Sequence, residues 1–499
     1  MLRRWLTRLF NLQSDEASPV IVGFSMFFLL FAGYFMLRPV RETMGITGGI
    51  DNLPWLFTGT FVATVAAMPL FGWIAARAQR RRIVYWVLGF FASNLVAFGL
   101  GFLARPDDIW LARTFYIWLS VFNLIAISVA WSVLVDVFAV GEAKRLFALM
   151  AGGASLGGLV GPLLGVLLVG AIGHAGLLLL SAALLIAAAL CARWIQRWRE
   201  ARPNQDVAAA GRTDFPSPRG RRACPVLDTG WRKAPDEGAS DHVSLSDKRW
   251  RPSTGLKTGS TTNERASNRA TSPSRSIPLG SIPLGGSPFA GATDVLRSPY
   301  LLGIALFVLL LASVSTFLYF EQARLIEINF PLKTDQTRVF GIIDVIVQAL
   351  AIVSQLFITG RLAQRLGVGV LLVAVPLVTA AGFVWLALAP TFTVLAVVMV
   401  VRRAGEYAFV RPGREMLYTV VAPEAKYKAK NFNDTVVYRG ADAVSGWVKT
   451  GVDLLAQQPA IAMVLGAGIA LAWAWTGGSL ARAQQRRADG ETNPIRAAL

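Results

Sequence analysis

The sequence predicts an all-α membrane protein of about twelve transmembrane helices, arranged as two six-helix halves with both termini in the cytoplasm. Of its 499 residues 54% are hydrophobic and only 16% are charged, whereas soluble domains carry about a quarter charged residues. Apolar segments of about 20 residues, the length that crosses a bilayer, recur on both sides of a polar central stretch. A soluble fold could not bury that much apolar surface.

The apolar segments define the predicted domains. In the first half they cover residues 19–38, 54–76, 83–103, 109–135, 146–169 and 176–195, and in the second half residues 299–321, 339–359, 368–388, 391–421, 435–455 and 461–480. Residues 1–198 are therefore assigned to an N-terminal six-helix bundle, 199–293 to a linker, 294–484 to a C-terminal six-helix bundle and 485–499 to a cytoplasmic tail.

The distribution of charge sets the predicted orientation. The formal net charge is +19, but the basic residues lie between hydrophobic runs and do not cluster on a soluble face, so nucleic acid is not an expected partner. Lys and Arg concentrate in alternate loops, around residues 77–82, 144–145, 361–365, 426–430 and 482–487. The excess of positive charge marks those loops and both termini as cytoplasmic. The sequence thus predicts a multi-pass protein of the bacterial inner membrane, embedded in the lipid bilayer.

The linker is rich in Arg, Ser, Pro and Gly. Such a composition cannot bury enough apolar surface to fold, so a disordered cytoplasmic segment is predicted. Two interpretations stay open for it: a regulatory or lipid-binding tether, since basic cytoplasmic segments attract anionic headgroups, and a variable linker without a role of its own.

Two pairs of loop motifs relate the halves. Residues 72–81 read GWIAARAQRR and residues 360–367 read GRLAQRLG, each after the second span of its half; residues 140–144 (VGEAK) and 422–426 (APEAK) each follow the fourth. The first pair resembles the G-x-x-x-D-R-x-G-R-R loop of the major facilitator superfamily, with Ala76 and Gln364 in place of the family's Asp. The resemblance implies two six-helix bundles with a substrate site between them.

A glycine ladder marks the fifth predicted span. Gly153, Gly157, Gly161 and Gly165 recur at every fourth position, which leaves one helix face without side chains and allows a neighbouring helix to approach closely. We therefore predict a helix-packing face. The pattern with Pro162 also resembles the fifth-span motif of exchangers in the same superfamily, although Val166 replaces its final glycine.

Charged residues inside the spans carry the functional prediction, because ionisable groups in hydrocarbon are costly and persist where they face a partner or a watery cavity. The candidates for substrate binding are Tyr34, Arg38, Arg41, Asn123, Trp131, Arg403, Tyr407, Arg411, Arg414, Tyr418 and Arg439. The candidates for coupling or gating are Glu42, Asp136, Asp344, Glu406, Asp434, Asp442 and Lys449. For any single residue, an interhelix salt bridge is an equally good interpretation, and those near span ends could extend to the interface.

The guanidinium fork of arginine matches carboxylate and phosphate, so these residues predict a small anionic organic substrate. Residues 411–430, followed by Asp434 and residues 438–442, resemble the tenth to eleventh spans of the ATP/ADP antiporter family, and residues 34–42 resemble its first span. The fourth span from Trp131 to Asp136, with the loop residues Lys144 and Arg145 after it, resembles the corresponding region of that family. This resemblance implies nucleotide exchange.

Two other classes remain open: a proton-coupled exporter of drugs or metabolites, and a non-transporting sensor or assembly partner. The sequence contains no phosphate loop and no nucleophile and base at recognisable spacing, so neither an enzyme nor a cofactor or metal is expected. The oligomeric state is left open, with a monomer compatible with the sequence.

Overall fold

The structure, a computed structural model, describes residues 17–77, 80–137, 140–200, 291–456 and 458–492. Within these ranges the side chains of residues 74–82 and 134–145 are not described, so the predicted gating residue Asp136 and most of the first loop motif lie outside them. Residues 201–290, which contain nearly all of the predicted linker, also lie outside the described residues. Every regular element among the described residues is helical.

The described residues of the first half form five α-helical elements. In chain order they are α1 (Ala17–Thr47), α2 (Leu53–Arg77), α3 (Arg80–Ala104), α4 (Ile109–Val137) and α5 (Val140–Glu200). A 3-10 turn, Ile50–Asn52, joins α1 to α2. Asp108 begins α4, because its carboxylate accepts the backbone N–H groups of Trp110 and Leu111 at 2.9 and 3.0 Å and so satisfies donors that the helix itself leaves free.

The long α5 is a helical hairpin that reverses at Gly173. This glycine has φ of +66°, a left-handed conformation that residues with a Cβ rarely adopt. Gly161, before it, lies against the backbone of Ala32, and Ser181, after it, donates a hydrogen bond to the Gly33 carbonyl at 3.1 Å. In a straight helix residues 161 and 181 would be about 30 Å apart. Since both contact the same turn of α1, the two arms of α5 lie side by side.

The second half contains nine helices and three π-helical turns among its described residues. The helices are α6 (Ala292–Arg297), α7 (Pro299–Asn329), α8 (Lys333–Ser354), α9 (Gly360–Leu388), α10 (Phe392–Gly405), α11 (Arg411–Leu417), α12 (Pro423–Phe432), α13 (Tyr438–Ala456) and α14 (Pro459–Thr492). The π-helical turns are Gln355–Thr359, Glu406–Val410 and Asn433–Val437. Ser298 and Thr391 cap α7 and α10 through their hydroxyl groups.

A second reversal occurs at Gly367, inside α9, where φ is +76°. Thr359, before it, donates a hydrogen bond to the Ala408 carbonyl at 2.9 Å. Val375, after it, packs on Gly405. Residues 359 and 375 would be about 24 Å apart in a straight helix, yet they contact positions less than one turn apart. The chain therefore turns back at Gly367, at the end of the second loop motif.

Eight helical stretches of the described chain are long and apolar enough to cross a membrane. Two of them, Leu149–Glu200 and Lys333–Leu388, have 52 and 56 residues and contain the reversals at Gly173 and Gly367. The predicted tenth and eleventh spans are helical but are not among the eight, because charged side chains lower their hydropathy. The all-helical membrane architecture is confirmed, and the count of twelve spans stays a prediction.

Hydrophobic side chains form one core in each half and a third core between them. The buried residues of the first core come from α1, α3, α4 and α5, and those of the second come mainly from α6, α7, α9 to α12 and α14. The third contains Leu53 and Tyr116 from the first half packed with Phe320 and Ile326 from the second. Each half is thus a separately packed bundle, and the third core closes the space between them at one end.

Candidate functional site

A polar cavity of about 520 Å³ lies between the two halves. Fourteen of the predicted binding and coupling residues line it: Tyr34, Arg38, Arg41, Glu42, Asn123, Asp344, Arg403, Glu406, Tyr407, Arg411, Arg414, Asp434, Arg439 and Asp442. The walls come from α1, α2 and α4 on one side, and from α7, α8, α10, α11, α13 and the π-helical turns Glu406–Val410 and Asn433–Val437 on the other. Residues far apart in the chain are therefore brought to one surface.

The centre of the cavity contains a carboxylate shared by two arginines. Asp344 of α8 is 3% exposed and pairs with Arg403 of α10 at 2.5 Å and with Arg38 of α1 at 3.7 Å. Arg38 also donates to the hydroxyl of Tyr407 at 3.3 Å. A buried carboxylate requires such partners, because an isolated charge in a low-dielectric region is costly. Through Arg38 this cluster joins the two halves.

A second carboxylate, Glu406, lies between two further arginines. Its oxygens are 3.1 Å from Arg402 and 3.5 Å from Arg411. The Arg411 guanidinium lies 4.3 Å from the centre of the Tyr407 ring, a cation–π arrangement. Its side chain is 53% exposed. Arg411 thus places a positive charge at the cavity wall on a side chain that is about half exposed.

The helix backbone is irregular where it carries these residues. Pro412 has no N–H to offer the carbonyl of Ala408 four residues earlier, and the π-helical turn Glu406–Val410 directly precedes it. The Thr359 hydroxyl donates to that Ala408 carbonyl at 2.9 Å, and the Gln355 amide donates to the Tyr407 carbonyl at 2.9 Å. Neighbouring polar side chains therefore satisfy backbone groups that the irregular helix frees.

Arg41 forms a separate contact set on α1. It pairs with Glu42 at 3.0 Å, lies 3.9 Å from the Tyr116 ring centre and donates to the Tyr116 carbonyl at 3.2 Å. The Tyr116 hydroxyl donates to that of Tyr319 at 3.2 Å, which again crosses between the halves.

The eleventh predicted span supplies two more ion pairs. Arg414 of α11 is 3.1 Å from Asp434 in the π-helical turn Asn433–Val437. In α13, Arg439 is 3.6 Å from Asp442, and Asp442 also accepts a hydrogen bond from Thr316 of α7 at 3.1 Å.

Positive charge exceeds negative charge in this cavity. Seven arginines and five carboxylates line it, which leaves a surplus of two positive charges. Several buried polar atoms at the wall have no hydrogen-bond partner among the described residues, including Nε of Arg402, Nε of Arg414 and Oδ1 of Asn123. The cavity therefore offers unused donors and net positive charge to a bound solute.

Sequence reasoning identified Asn123 of α4 but missed the other cavity residues of α4 and all of those of α7. Tyr116, Ser120, Ser315, Tyr319 and Gln322 all line the cavity. The signal was present as spacing: 315, 319 and 322 follow the i, i+4, i+7 pattern of one helix face, as do 116, 120 and 123. Neutral polar residues are common in membrane spans, so this spacing alone did not identify them as cavity residues.

Three predicted residues lie outside the cavity lining. Trp131 packs against Phe27 with ring centres 4.9 Å apart. Tyr418 is buried and accepts a hydrogen bond from Asn433 at 3.0 Å. Lys449 is 3% exposed and pairs with Asp453 on its own helix.

One end of the interface is closed by contacts between the halves. This closed end comprises the third hydrophobic core, the Lys333–Asp107 ion pair at 2.6 Å, and a hydrogen-bonded chain in which Thr337 contacts both Thr43 and His174 at 2.7 and 2.9 Å. The Lys333 ammonium lowers the pKa of the Asp107 carboxyl by hydrogen bonding and by its charge. Solutes are thus excluded from the cavity at this end.

The glycine ladder of α5 lies directly against α1. A Cβ at Gly157 would be 2.5 Å from the Phe28 carbonyl oxygen, and one at Gly161 would be 2.6 Å from that of Ala32. Such distances are below van der Waals contact, so the two backbones touch where side chains would otherwise stand.

Two helical bundles around a shared polar cavity define the architecture of a membrane transporter. A family model described as Major Facilitator Superfamily matches residues 20–429, and the chain belongs to that superfamily. It is a transporter rather than an enzyme. No curated protein sequence matches the chain.

Solved structures of other transporters are similar in fold. A bacterial homolog of the human lysosomal transporter Spinster, in an inward-facing and unoccupied conformation, has 12% identity and a TM-score of 0.56, with 95% of this chain and 98% of that chain covered. A bacterial homologue of the iron transporter ferroportin, in an inward-facing state, has 13% identity and a TM-score of 0.53, with coverage of 92% and 98%. The nucleoside transporter NupG has 13% identity and a TM-score of 0.50, with coverage of 93% and 98%. At these identities the likeness shows the fold alone.

Proposed function

We propose that this chain is a secondary active transporter for an organic anion, built from twelve spans with both termini in the cytoplasm of a bacterial inner membrane. In this arrangement the closed end faces away from the cytoplasm. The reversals at Gly173 and Gly367 support the count, because each divides a long helical stretch into two arms, and the charged stretches 392–420 and 433–456 supply the remaining two spans.

The surplus of positive charge in the cavity carries the proposal. All seven arginines lie within 3.7 Å of a carboxylate that also lines the cavity. Only five carboxylates serve these seven arginines, so the set as a whole retains a surplus of two positive charges. An anionic solute of charge near −2 balances that surplus. Arginine donors suit carboxylate and phosphate groups in particular.

Nucleotide exchange is the first activity to test. The segments that resemble the ATP/ADP antiporter family contribute Arg411, Arg414, Asp434, Arg439 and Asp442 to the cavity wall. Tyr34 and Tyr407 are among the aromatic side chains at the same wall. Their rings offer surfaces on which a planar ring of the solute can stack.

The experiment is uptake of labelled nucleotides and dicarboxylates into liposomes that contain the purified protein, with and without an internal counter-substrate. We expect saturable uptake that requires the counter-substrate. Arg411→Gln should raise the KM by about tenfold or more, because one charge-assisted hydrogen bond is worth about 1.5–3 kcal/mol. The matched control is Lys430→Gln, whose ammonium pairs with Glu415 outside the cavity.

Each alternative has its own outcome in this assay. Uptake that is driven by an imposed pH gradient and needs no counter-substrate would indicate a proton-coupled transporter instead of an exchanger. Absence of uptake for every anion, together with no thermal stabilisation by any of them, would contradict the proposal, since a ligand that binds the folded state raises its apparent stability.

A further inference from the structure

A second, apolar groove of about 1010 Å³ lies along α2, α3 and α4 of the first half. Aromatic side chains dominate its lining: Trp55, Phe71, Trp86, Phe90, Trp110 and Trp118. Its lining comes from these three helices and from Asn52 in the turn before α2, and it shares no residue with the polar cavity between the halves. The groove opens on the surface that a membrane-embedded bundle presents to lipid.

The groove is long enough for an acyl chain. Along α2 its lining runs from Trp55 to Leu70, a rise of about 22 Å at 1.5 Å per residue. One leaflet of the hydrocarbon core is about 15 Å thick. A chain lying in the groove would therefore follow it through the depth of one leaflet.

One end of this apolar groove carries a cation. Arg113 lines it near the beginning of α4, beside Asn52 and Thr114. Its Nε donates to the Gly48 carbonyl at 2.9 Å, and its guanidinium is 5.0 Å from the Trp110 ring centre. Among the described residues no carboxylate pairs with it. The rest of its donor fork is thus available to an external anion.

The neighbours of Arg113 mark this end as the headgroup level. Trp55 and Trp110 are 62% and 72% exposed, and tryptophan concentrates where hydrocarbon meets polar headgroups. The loop 105–108 adjoins the same end. The charge of Arg113 is thus placed at the depth where a phospholipid carries its phosphate.

We propose that this groove is a binding site for one anionic phospholipid, with an acyl chain along α2, α3 and α4 and the phosphodiester at Arg113. Charge complementarity selects an anionic headgroup, because the planar fork of arginine matches phosphate oxygens. The inference does not depend on the identity of the transported solute.

Native mass spectrometry of the full chain in detergent, with equal amounts of phosphatidylglycerol and phosphatidylcholine of identical acyl chains, tests this site. We expect one tightly retained lipid per chain and a preference for phosphatidylglycerol. Arg113→Gln should reduce that preference about tenfold, the value of roughly one charge-assisted hydrogen bond. Ala67→Trp, which fills the middle of the groove, should abolish retention of both lipids.

The control is Arg105→Gln. Arg105 lies at the same end of the bundle but outside the groove, 80% exposed and 3.9 Å from Asp108, and its replacement should leave the preference unchanged. Thermal unfolding and monodispersity of each variant report whether it has folded. The site is refuted if folded Arg113→Gln keeps the wild-type preference, if Arg105→Gln lowers it equally, or if folded Ala67→Trp retains the lipid.

Discussion

The hairpin α5 and the irregular stretch formed by α10, the π-helical turn Glu406–Val410 and α11 belong to opposite halves and meet their neighbours in different ways. α5 is apolar and glycine-rich, and its first arm lies backbone to backbone against α1. The stretch α10–α11 is rich in charge, contains a π-helical turn and Pro412, and presents four arginines to the cavity.

This difference separates two tasks of a helix in a membrane. Lipid tails provide no hydrophobic force between helices, so α5 depends on close approach and van der Waals packing. The stretch α10–α11 can depart from regular geometry because it lines a polar cavity where side chains replace lost backbone hydrogen bonds. Four substitutions test the contrast, beginning with the largest expected effect.

Gly161→Leu should abolish folding. Its Cβ alone would lie 2.6 Å from the Ala32 carbonyl oxygen and 3.0 Å from the Met36 nitrogen, so α1 and α5 could not approach. The matched control is Gly468→Leu in α14, where a Cβ meets no atom within 4 Å. Fluorescence-detected size-exclusion chromatography reads the outcome: the control should give a monodisperse peak and Gly161→Leu should not. Equal peaks would contradict the packing role of the ladder.

Asp344→Asn should lower the free energy of unfolding by about 3–5 kcal/mol, since it leaves the buried Arg403 and the half-buried Arg38 without their shared counter-charge. Asp335→Asn is the control, because Asp335 is 40% exposed and its pair with Arg338 is 3.4 Å long; such surface pairs contribute about 0.5 kcal/mol. Denaturant unfolding of the purified protein measures both. Similar values for the two variants would mean that the central cluster is solvated.

Thr359→Val should cost about 1–2 kcal/mol, because the Ala408 carbonyl loses a donor at a place where Pro412 offers none. Thr379→Val is the matched control: its hydroxyl bonds the Val375 carbonyl within its own regular helix, whose backbone ladder stays intact. Thermal unfolding compares the two. A larger loss for Thr379→Val would show that the irregular turn needs no side-chain support.

Tyr407→Phe should have the smallest effect, less than about 1 kcal/mol. The hydroxyl accepts from Arg38 at 3.3 Å, long for a hydrogen bond, and the ring that lies beside Arg411 remains. The same unfolding assay applies. If the free energy of unfolding fell as much as it does for Asp344→Asn, the tyrosine hydroxyl and not the carboxylate would be the main contact that Arg38 makes between the halves.

Hydropathy predicted α1 to α5 well, because each of these helices contains a long apolar segment. The tenth and eleventh spans give a weaker apolar signal, since the arginines and aspartates that line the cavity interrupt their apolar sequence. Which charges would pair was predictable within a helix, as for Arg402 and Glu406. The pairing of Asp344 with Arg38 was not predictable, because this contact depends on how α1 and α8 lie against each other.

The site residues show the same limit. Trp131, Tyr418 and Lys449 share a helix face with cavity residues on periodicity alone, yet local packing turns each to another partner. Tyr116 and Tyr319 face the cavity, and their sequence signal is limited to the helical spacing that places them on one face with Ser120 and Gln322. Periodicity gives the face of a helix, and only tertiary packing selects which part of that face meets the cavity.

Outside the third hydrophobic core, the closed end is held by contacts that can be broken and remade at small energetic cost. These contacts between the halves are the ion pair of Lys333 with Asp107, which is 86% exposed, the hydrogen bonds among hydroxyl groups, and an edge-on pair of Trp55 and Trp447. Salt screens an exposed ion pair, whereas the backbone contacts of α1 with α5 do not respond to ionic strength. The contact between α1 and α5 inside one bundle is therefore permanent, whereas the ion pair between the two bundles weakens as the ionic strength rises. We expect the closed end to open more often at higher ionic strength.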